Sequence, residues 1–145
     1  MQDRDIENDA KAAVKLFWRT RNTQADRQAS SGRSNQGARS AVTGGAQMDG
    51  FIDLFAKIVK DAGAPASSIF LKHSVELPGF FRPSKKWDLL VVAGGQLYAA
   101  LEAKSQIGPS FGNNFNNRTE EAIGSATDLW TAYRQGAFNK SAKRV

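Results

Sequence analysis

The sequence contains no cysteine and a single histidine, His73. The lack of cysteine excludes disulfides and thiolate-bound metals, and it fits the reducing cytoplasm, where we expect the protein to reside. One histidine is too few for a zinc site built from several imidazoles. Any bound metal must therefore be held by oxygen ligands, which Mg²⁺, Ca²⁺ and Mn²⁺ prefer.

Long apolar runs are also missing, so the sequence predicts no membrane-spanning segment. The chain of 145 residues is 41% hydrophobic and 23% charged, which is typical of a single globular domain over 1–145. Its net charge of +6 favours a polyanionic partner such as nucleic acid.

The first part of the chain predicts two helices separated by a polar stretch. Apolar spacing predicts an N-terminal helix over 5–19 and a second helix over 50–62, with Asp49 as its N-cap. Between them lies a polar basic loop over 22–46. Its composition fits a flexible linker, and its arginines equally fit a loop that becomes ordered against DNA phosphates.

The sequence predicts a core over 47–138. After the helix over 50–62, this core is expected to consist of strands followed by a further helix. A strand over 67–73 precedes a loop over 74–86 with two prolines, and a hairpin over 87–106 has strands apolar enough to be buried. After the polar loop IGPSFGNNFNNR comes a helix over 119–136. Its expected inner face is apolar and consists of Ala122, Ile123, Ala126, Leu129, Trp130 and Tyr133. This order of elements predicts an α/β protein.

Three charged residues stand on the predicted central hairpin, namely Asp88, Glu102 and Lys104. Burying an ion costs several kcal/mol unless it is paired or bound to a metal. Two facing carboxylates stay ionised when a cation lies between them, and Mg²⁺ held by Asp88 and Glu102 would satisfy this condition. Lys104 would then orient water or stabilise charge on a phosphate. The alternative is a solvated Glu–Lys pair at a strand end, since the Glu-x-Lys triplet alone is common.

The hypothesis that Asp88 and Glu102 hold one metal ion requires a hairpin register that places both side chains on the same face of the sheet. A two-residue turn at Gly94 and Gly95 in a regular hairpin would place Asp88 opposite Leu101, and so on the other face from Glu102. The hypothesis therefore requires either a turn with an odd number of residues or a β-bulge. We expect a three-residue turn over 94–96, which sets Asp88 against Glu102.

Basic and amide side chains flank the hairpin and are candidates for contacts to DNA. The asparagines equally fit a role in shaping turns. The candidates are Arg82, Lys85, Lys86, Ser105, Gln106, Asn113, Asn114, Asn116, Asn117 and Arg118.

The remaining aromatic and imidazole side chains have structural interpretations. We expect His73 to be packed or capping, with a catalytic base as the alternative. We expect Trp18, Trp87 and Trp130 to pack in the core or at an interface. Asp49 and Asp53 are both possible as a third acidic site residue, and the sequence does not choose between them.

Asp88, Glu102 and Lys104 resemble the PD-(D/E)XK nuclease signature, although the nearest proline is Pro83 and does not adjoin the Asp. The longer stretches AVTGGAQMDGF, LPGFFRPSKKWDLLVV and LEAKSQIGPSFGNNFNNRTEEAIGSATDLWTAYRQGAF resemble the XhoI family of type II restriction endonucleases. This resemblance implies a restriction-endonuclease-like core with a mixed sheet flanked by helices. It also implies a Mg²⁺-dependent homodimer that cuts double-stranded DNA at CTCGAG. We expect the chain to lack the later core strand of that fold.

Three functions are consistent with these features. The first is a sequence-specific, Mg²⁺-dependent DNA endonuclease of a restriction–modification system. The alternative is a catalytically inactive DNA-binding or assembly fragment of such an enzyme. A repair or recombination nuclease with the same fold is the third.

Overall fold

The computed structural model describes residues 3–30, 46–105 and 113–138. Within these ranges the chain forms two compact units, Met1–Ile69 and Phe70–Val145, which are described separately. The elements are α1 (Asp3–Ser30), α2 (Asp49–Asp61), β1 (Ile69–Leu71), β2 (Glu76–Pro78), β3 (Ser84–Lys86), β4 (Leu89–Ala93), β5 (Gln96–Leu101) and α3 (Asn113–Arg134).

The first unit is built on α1 and α2. Ala13 and Phe17 are buried on one stripe of α1, and the Phe17 ring lies edge-on to Phe51 of α2, with ring centroids 6.3 Å apart. The predicted helix over 5–19 exists but continues to Ser30, so the predicted loop is wrong over 22–30. That segment contains no glycine or proline to end a helix. Residues 31–45 lie outside the described part, where both interpretations of the loop stay predictions.

The predicted helix over 50–62 is confirmed to within one residue as α2. The predicted N-cap is wrong, because Met48 holds the cap position and Asp49 is the first helical residue. A short 3₁₀ turn over Ala46–Met48 leads directly into the helix and shifts its start. In the first turn the charge of Asp49 lies at the positive end of the helix dipole, which is a favourable position.

The second unit contains a three-stranded sheet in the order β1-β4-β5 and a separate antiparallel hairpin, β2–β3. The predicted strand over 67–73 is present as the shorter β1. The predicted loop over 74–86 is wrong, because it folds into the β2–β3 hairpin. Its prolines do not prevent this, since Pro78 ends β2 and Pro83 precedes β3, where a missing N–H is tolerated.

The core of the second unit forms around β4. Leu90 packs with Val75 and Trp87, and the neighbouring Leu89 is equally buried. The prediction of two buried hairpin strands is therefore right for β4. It is wrong for β5, where Tyr98 and Ala99 are exposed, because β5 is the last strand in the described sheet. Trp87 is confirmed as a core residue, whereas Trp18 is exposed.

Helix α3 differs most from its prediction. It starts at Asn113, so the predicted polar loop is wrong from that residue onward. Its buried residues are Ser125, Asp128 and Ala132, one helical face made of small and polar side chains. The predicted inner face is largely exposed, including Ile123, Trp130 and Tyr133, and the last two rings stack with centroids 5.8 Å apart.

These elements, helices with antiparallel hairpins, agree with the broad α/β class. Among the described helices, none has the length and apolarity that crossing a membrane requires.

Candidate active site

The β4–β5 hairpin has a two-residue turn and a bulge. Gly94 and Gly95 form the turn with positive φ angles of 57° and 74°, which glycine adopts without strain, and Ala93 pairs with Gln96. The register then shifts by one residue, because Val92 pairs with Leu97 while Val91 pairs with Ala99. Tyr98 is the extra residue. The expected three-residue turn is therefore wrong, and the alternative of a bulge is confirmed.

The bulge changes the position of Asp88 relative to Glu102. Beyond it Leu89 pairs with Leu101, and this register continued by one residue sets Asp88 opposite Glu102. Asp88 itself leaves the regular ladder, since its N–H donates to the Leu101 carbonyl at 2.9 Å. Its exposed carboxylate accepts a hydrogen bond at 2.8 Å from the N–H of Ala103, the residue after Glu102. The hairpin thus brings both carboxylate-bearing residues to the same end of the sheet.

Glu102 lies between two lysines. Oε1 of its carboxylate is 2.7 Å from Nζ of Lys104 and 2.7 Å from Nζ of Lys85. Burial by itself would raise the pKa of Glu102, but the hydrogen bonds from Lys104 and Lys85 outweigh it, so the pKa lies below its usual value. Glu102 is therefore ionised at neutral pH, and its negative charge is more than balanced locally.

The ion pairs extend from the sheet to α3. Nζ of Lys104 lies 3.6 Å from Oε2 of Glu121, and the same Glu121 oxygen is 2.6 Å from an Nη atom of Arg118. Glu121 is absent from the residues that the sequence pattern predicts for the site. Glu121 follows Arg118 by three residues, a spacing that brings two side chains together on a helix. The sequence pattern did not reveal this pair because it places Arg118 in a loop, before the predicted start of the helix.

A second acid that the sequence pattern does not single out is the buried Asp128. Its Oδ1 accepts the backbone N–H groups of Phe80 and Phe81 at 2.9 and 2.7 Å, and its Oδ2 lies 3.1 Å from Nε of Arg82. A Cβ atom at Gly79 would come within 2.7 Å of that Oδ2, so only glycine fits there. Asp128 therefore fixes the β2–β3 turn to α3. Its burial was unexpected because it lies outside the apolar stripe of the helix.

A groove of about 860 Å³ runs between β5 and α3 within the second unit. Leu97, Ala100 and Leu129 contribute apolar walls, while Glu102 and Lys104 supply charge. The ion-paired cluster is therefore accessible from a sizeable cleft, as a site acting on a bound molecule needs to be.

The other predicted site residues are dispersed. Lys86 is exposed on β3, and Ser105 is half-buried just beyond β5. Four asparagines belong to the start of α3, so neither they nor Arg118 form a loop; these are Asn113, Asn114, Asn116 and Asn117. Gln106 lies outside the described residues. His73 is exposed in the turn after β1, so it is not packed in the core.

The donor set of this cluster is compatible with a hard divalent cation. Asp88 and Glu102 offer carboxylate oxygens at one end of the sheet, and oxygen is the ligand type that such an ion prefers. Over the residues that the structure describes, no group of three or more acidic or histidine side chains is placed to hold a metal. Two carboxylates are therefore the ligands on offer, a number that suits a divalent ion that keeps several of its waters.

Comparison with known proteins supports the nuclease interpretation. The family model described as "Restriction endonuclease XhoI" matches residues 27–145. The chain is 51% identical over 138 residues to the type II restriction enzyme AbrI of Azospirillum brasilense, covering 94% of this chain and 62% of that protein. It is 48% identical over 129 residues to the type II restriction enzyme XhoI of Xanthomonas vasicola, covering 88% of this chain and 51% of that protein.

A third relative has the same character. The type II restriction enzyme BstVI of Geobacillus stearothermophilus is 51% identical over 110 residues, which cover 72% of this chain and 49% of that protein. The chain thus spans between about half and three-fifths of the length of these relatives. No solved structure matches it. The family model covers most of the sequence, and the chain belongs to the XhoI restriction endonuclease family.

Proposed function

We propose that this chain carries the catalytic hairpin of a sequence-specific, Mg²⁺-dependent endonuclease that cuts double-stranded DNA at CTCGAG. The observation that carries the proposal is the bulged hairpin, which sets Asp88 beside the Glu102–Lys104 pair. A regular hairpin with the same two-residue turn would separate the two carboxylates. The bulge therefore has a function in this proposal, and membership of the family supports it.

In this function Asp88 and Glu102 would hold Mg²⁺. The ion, when bound, supplies an activated water and neutralises charge on the phosphodiester. Lys104 donates hydrogen bonds towards the phosphate or the attacking water, and its contact with Glu102 fixes the position of its ammonium. Oδ2 of Asp88 accepts the N–H of Ala103, which restrains the Asp88 carboxylate beside the segment that carries Glu102.

Recognition of DNA is assigned to the basic and amide residues around this cluster. Lys86, Asn116 and Asn117 are exposed, and the net charge of +6 favours association with a polyanion. Asparagine pairs with adenine edges, whereas lysine and arginine neutralise phosphates. The full set is Arg82, Lys85, Lys86, Ser105, Gln106, Asn113, Asn114, Asn116, Asn117 and Arg118.

The fold and assembly of the active enzyme are part of the same proposal. We assign β1, β4, β5 and the helices to a restriction-endonuclease-like PD-(D/E)XK core and place the protein in the cytoplasm. A palindromic site such as CTCGAG has two-fold symmetry, which a homodimer matches with one active site for each strand.

The second candidate is a DNA-binding or assembly fragment without cleavage activity. The observation that favours this candidate lies on α3, which exposes Ile123, Trp130 and Tyr133 on a face typical of a protein interface. Such a fragment would keep the hairpin, bind DNA or another chain, and leave the phosphodiester intact.

One experiment distinguishes these functions. A supercoiled plasmid with a single CTCGAG is incubated with the purified chain and Mg²⁺, beside a matched plasmid carrying one base change in that site. The endonuclease predicts linear product from the first plasmid only, and none when EDTA replaces Mg²⁺. Intact plasmid together with a gel shift identifies the binding fragment, and cleavage of both plasmids identifies a nuclease without this specificity.

A further inference from the structure

Lys85 occupies an unusual position for a residue expected to contact DNA phosphates. Only 13% of its side chain is exposed, and its Nζ is 2.7 Å from Oε1 of Glu102. The same ammonium lies 5.2 Å from the centre of the Trp87 ring, within the range of a cation–π contact. The adjacent Lys86 is exposed on the same strand. Lys85 is therefore directed to the catalytic cluster, and Lys86 is directed to solvent.

We propose that Lys85 is the internal counterion of Glu102 and that a divalent cation must displace it in order to bind. This inference rests on the proposed function, because it takes Glu102 as a metal ligand. Lys85 thereby sets the affinity of the site for the metal. Lys104 has a different role, since it belongs to the catalytic triplet and is needed beside the bound substrate.

The displacement follows from the shared oxygen. Oε1 of Glu102 already accepts from both Lys85 and Lys104, so it has little capacity for a third strong electrophile. A divalent ion at that oxygen would also be repelled by two ammonium groups at close range in a half-buried setting. Releasing one of them frees an acceptor position on that oxygen and roughly halves the repulsion from the neighbouring ammonium groups.

Lys85 is the one that can leave. It belongs to β3, whereas Glu102 and Lys104 follow β5 in one segment of chain, so Lys85 can move away without disturbing the spacing of that pair. The Trp87 ring offers the displaced ammonium a second favourable contact near its present position. In that location it would still carry a positive charge towards an incoming phosphate, so the lysine exchanges one anionic partner for another.

The test is calorimetric titration of the DNA-free chain with Mn²⁺. Replacing Lys85 by Met keeps the length and apolar stem of the side chain but removes the competing charge. We expect Lys85→Met to bind Mn²⁺ about tenfold more tightly than the wild type, which corresponds to the loss of one charge-assisted hydrogen bond. Lys85→Arg keeps the charge and should not tighten binding. Lys86→Met removes an equal charge one residue away and should leave the Mn²⁺ affinity close to that of the wild type.

Each outcome bears on the inference. Equal or weaker Mn²⁺ binding by a folded Lys85→Met chain overturns it, because Lys85 would then support the ligand instead of competing with the metal. An equal gain in Lys86→Met also overturns it, since general charge would explain the effect. Absence of Mn²⁺ binding in every chain overturns the proposed function as well. Lys85→Gln replaces Lys85→Met if circular dichroism shows that the latter is unfolded.

Discussion

Two ion pairs, one in each unit, have nearly the same length and very different surroundings. In the first unit Nζ of Lys57 lies 2.5 Å from Oδ2 of Asp9, and their side chains are 47% and 36% exposed. In the second unit Nζ of Lys85 lies 2.7 Å from Oε1 of Glu102, with exposures of 13% and 15%. Water and salt screen the first pair but screen the second much less. Burial, more than distance, therefore distinguishes the pair that belongs to the proposed site.

The same contrast holds for the two units more broadly. Where the structure describes the first unit, its buried polar residues are the neutral Gln47 and Ser68, and α1 and α2 meet through apolar groups. The second unit buries the carboxylate of Asp128 and half-buries the Lys85–Glu102 pair. Charged groups are costly to bury unless they are paired, so their concentration in one unit makes that unit the candidate for a functional site.

The largest expected effect is on cleavage. If the proposed function holds, Asp88→Asn, Glu102→Gln and Lys104→Ala should each reduce the rate of CTCGAG cleavage by about a thousandfold or more, because each would remove a proposed metal ligand or charge-stabilising donor. The measurement is the rate of plasmid linearisation, with Mn²⁺ calorimetry as a second readout for the two carboxylate changes. Asp9→Asn, which alters the exposed pair of the first unit, is the control. An Asp88→Asn protein that cleaves at the wild-type rate would contradict the assignment of Asp88 as a metal ligand.

Next in size is the stability provided by Asp128. Asp128→Ala leaves the N–H groups of Phe80 and Phe81 without their acceptor and removes the partner of Arg82, so we expect a loss of about 3 kcal/mol in the free energy of unfolding. Urea unfolding measures it. Glu120→Ala changes an exposed acid on the same helix and should have little effect. Equal losses for the two variants would show that the buried contacts of Asp128 are unimportant.

A smaller effect concerns the pH dependence of stability. The pKa of Glu102 is lowered in the folded protein, so its charge contributes stability that is fully present above the unfolded pKa of about 4.5 and lost as the pH falls through the lower folded pKa. The difference in unfolding free energy between wild type and Glu102→Gln should therefore be constant at neutral pH and shrink as the pH falls below the unfolded pKa. We expect a change of about 1 kcal/mol or less, because the site is partly solvated. If this free-energy difference instead grows as the pH falls, the pKa of Glu102 is raised by folding and the prediction is wrong.

The smallest expected effect is that of the exposed pair. Lys57 has a raised pKa, chiefly through its hydrogen bond to Asp9, but its ammonium stays in contact with water. Lys57→Met should shift the melting temperature less than Lys85→Met does, and added salt should reduce the shift further. If the two substitutions shift the melting temperature equally at high salt, burial is not what separates the pairs.

Several features of the fold could be predicted from the sequence because they depend on local signals. The apolar spacing of α2 and its flanking Gly63 and Pro65 define that helix to within one residue. The Gly94–Gly95 pair between two apolar runs indicates the β4–β5 hairpin. The β2–β3 hairpin was missed, since its strands are only three residues long and contain proline and charge.

For the candidate site, the pattern of charged residues could be predicted from the sequence, but the strand pairing that assembles them could not. The spacing of Asp88, Glu102 and Lys104 is a sequence pattern, and so is the requirement for an odd turn or a bulge. Choosing the bulge at Tyr98 depends on the pairing of both strands, which no single segment encodes. The inner face of α3 was wrongly predicted for a related reason: Asp128 is buried because it meets two backbone N–H groups from the β2–β3 turn, 47 and 48 residues away in the chain.

Composition and local pattern were enough to limit the chemistry of this protein. Without cysteine, and with one histidine, the chain has carboxylates and lysines as the groups for the proposed metal-assisted reaction, and its long matching stretches identify the family. Which lysine approaches which carboxylate depends on the folded arrangement of the strands. Lys85 and Lys86 are adjacent in sequence and chemically identical, yet one faces Glu102 and Trp87 while the other is exposed. The reason is that successive side chains of a strand point to opposite faces, and the packing of β3 settles which of those faces is buried.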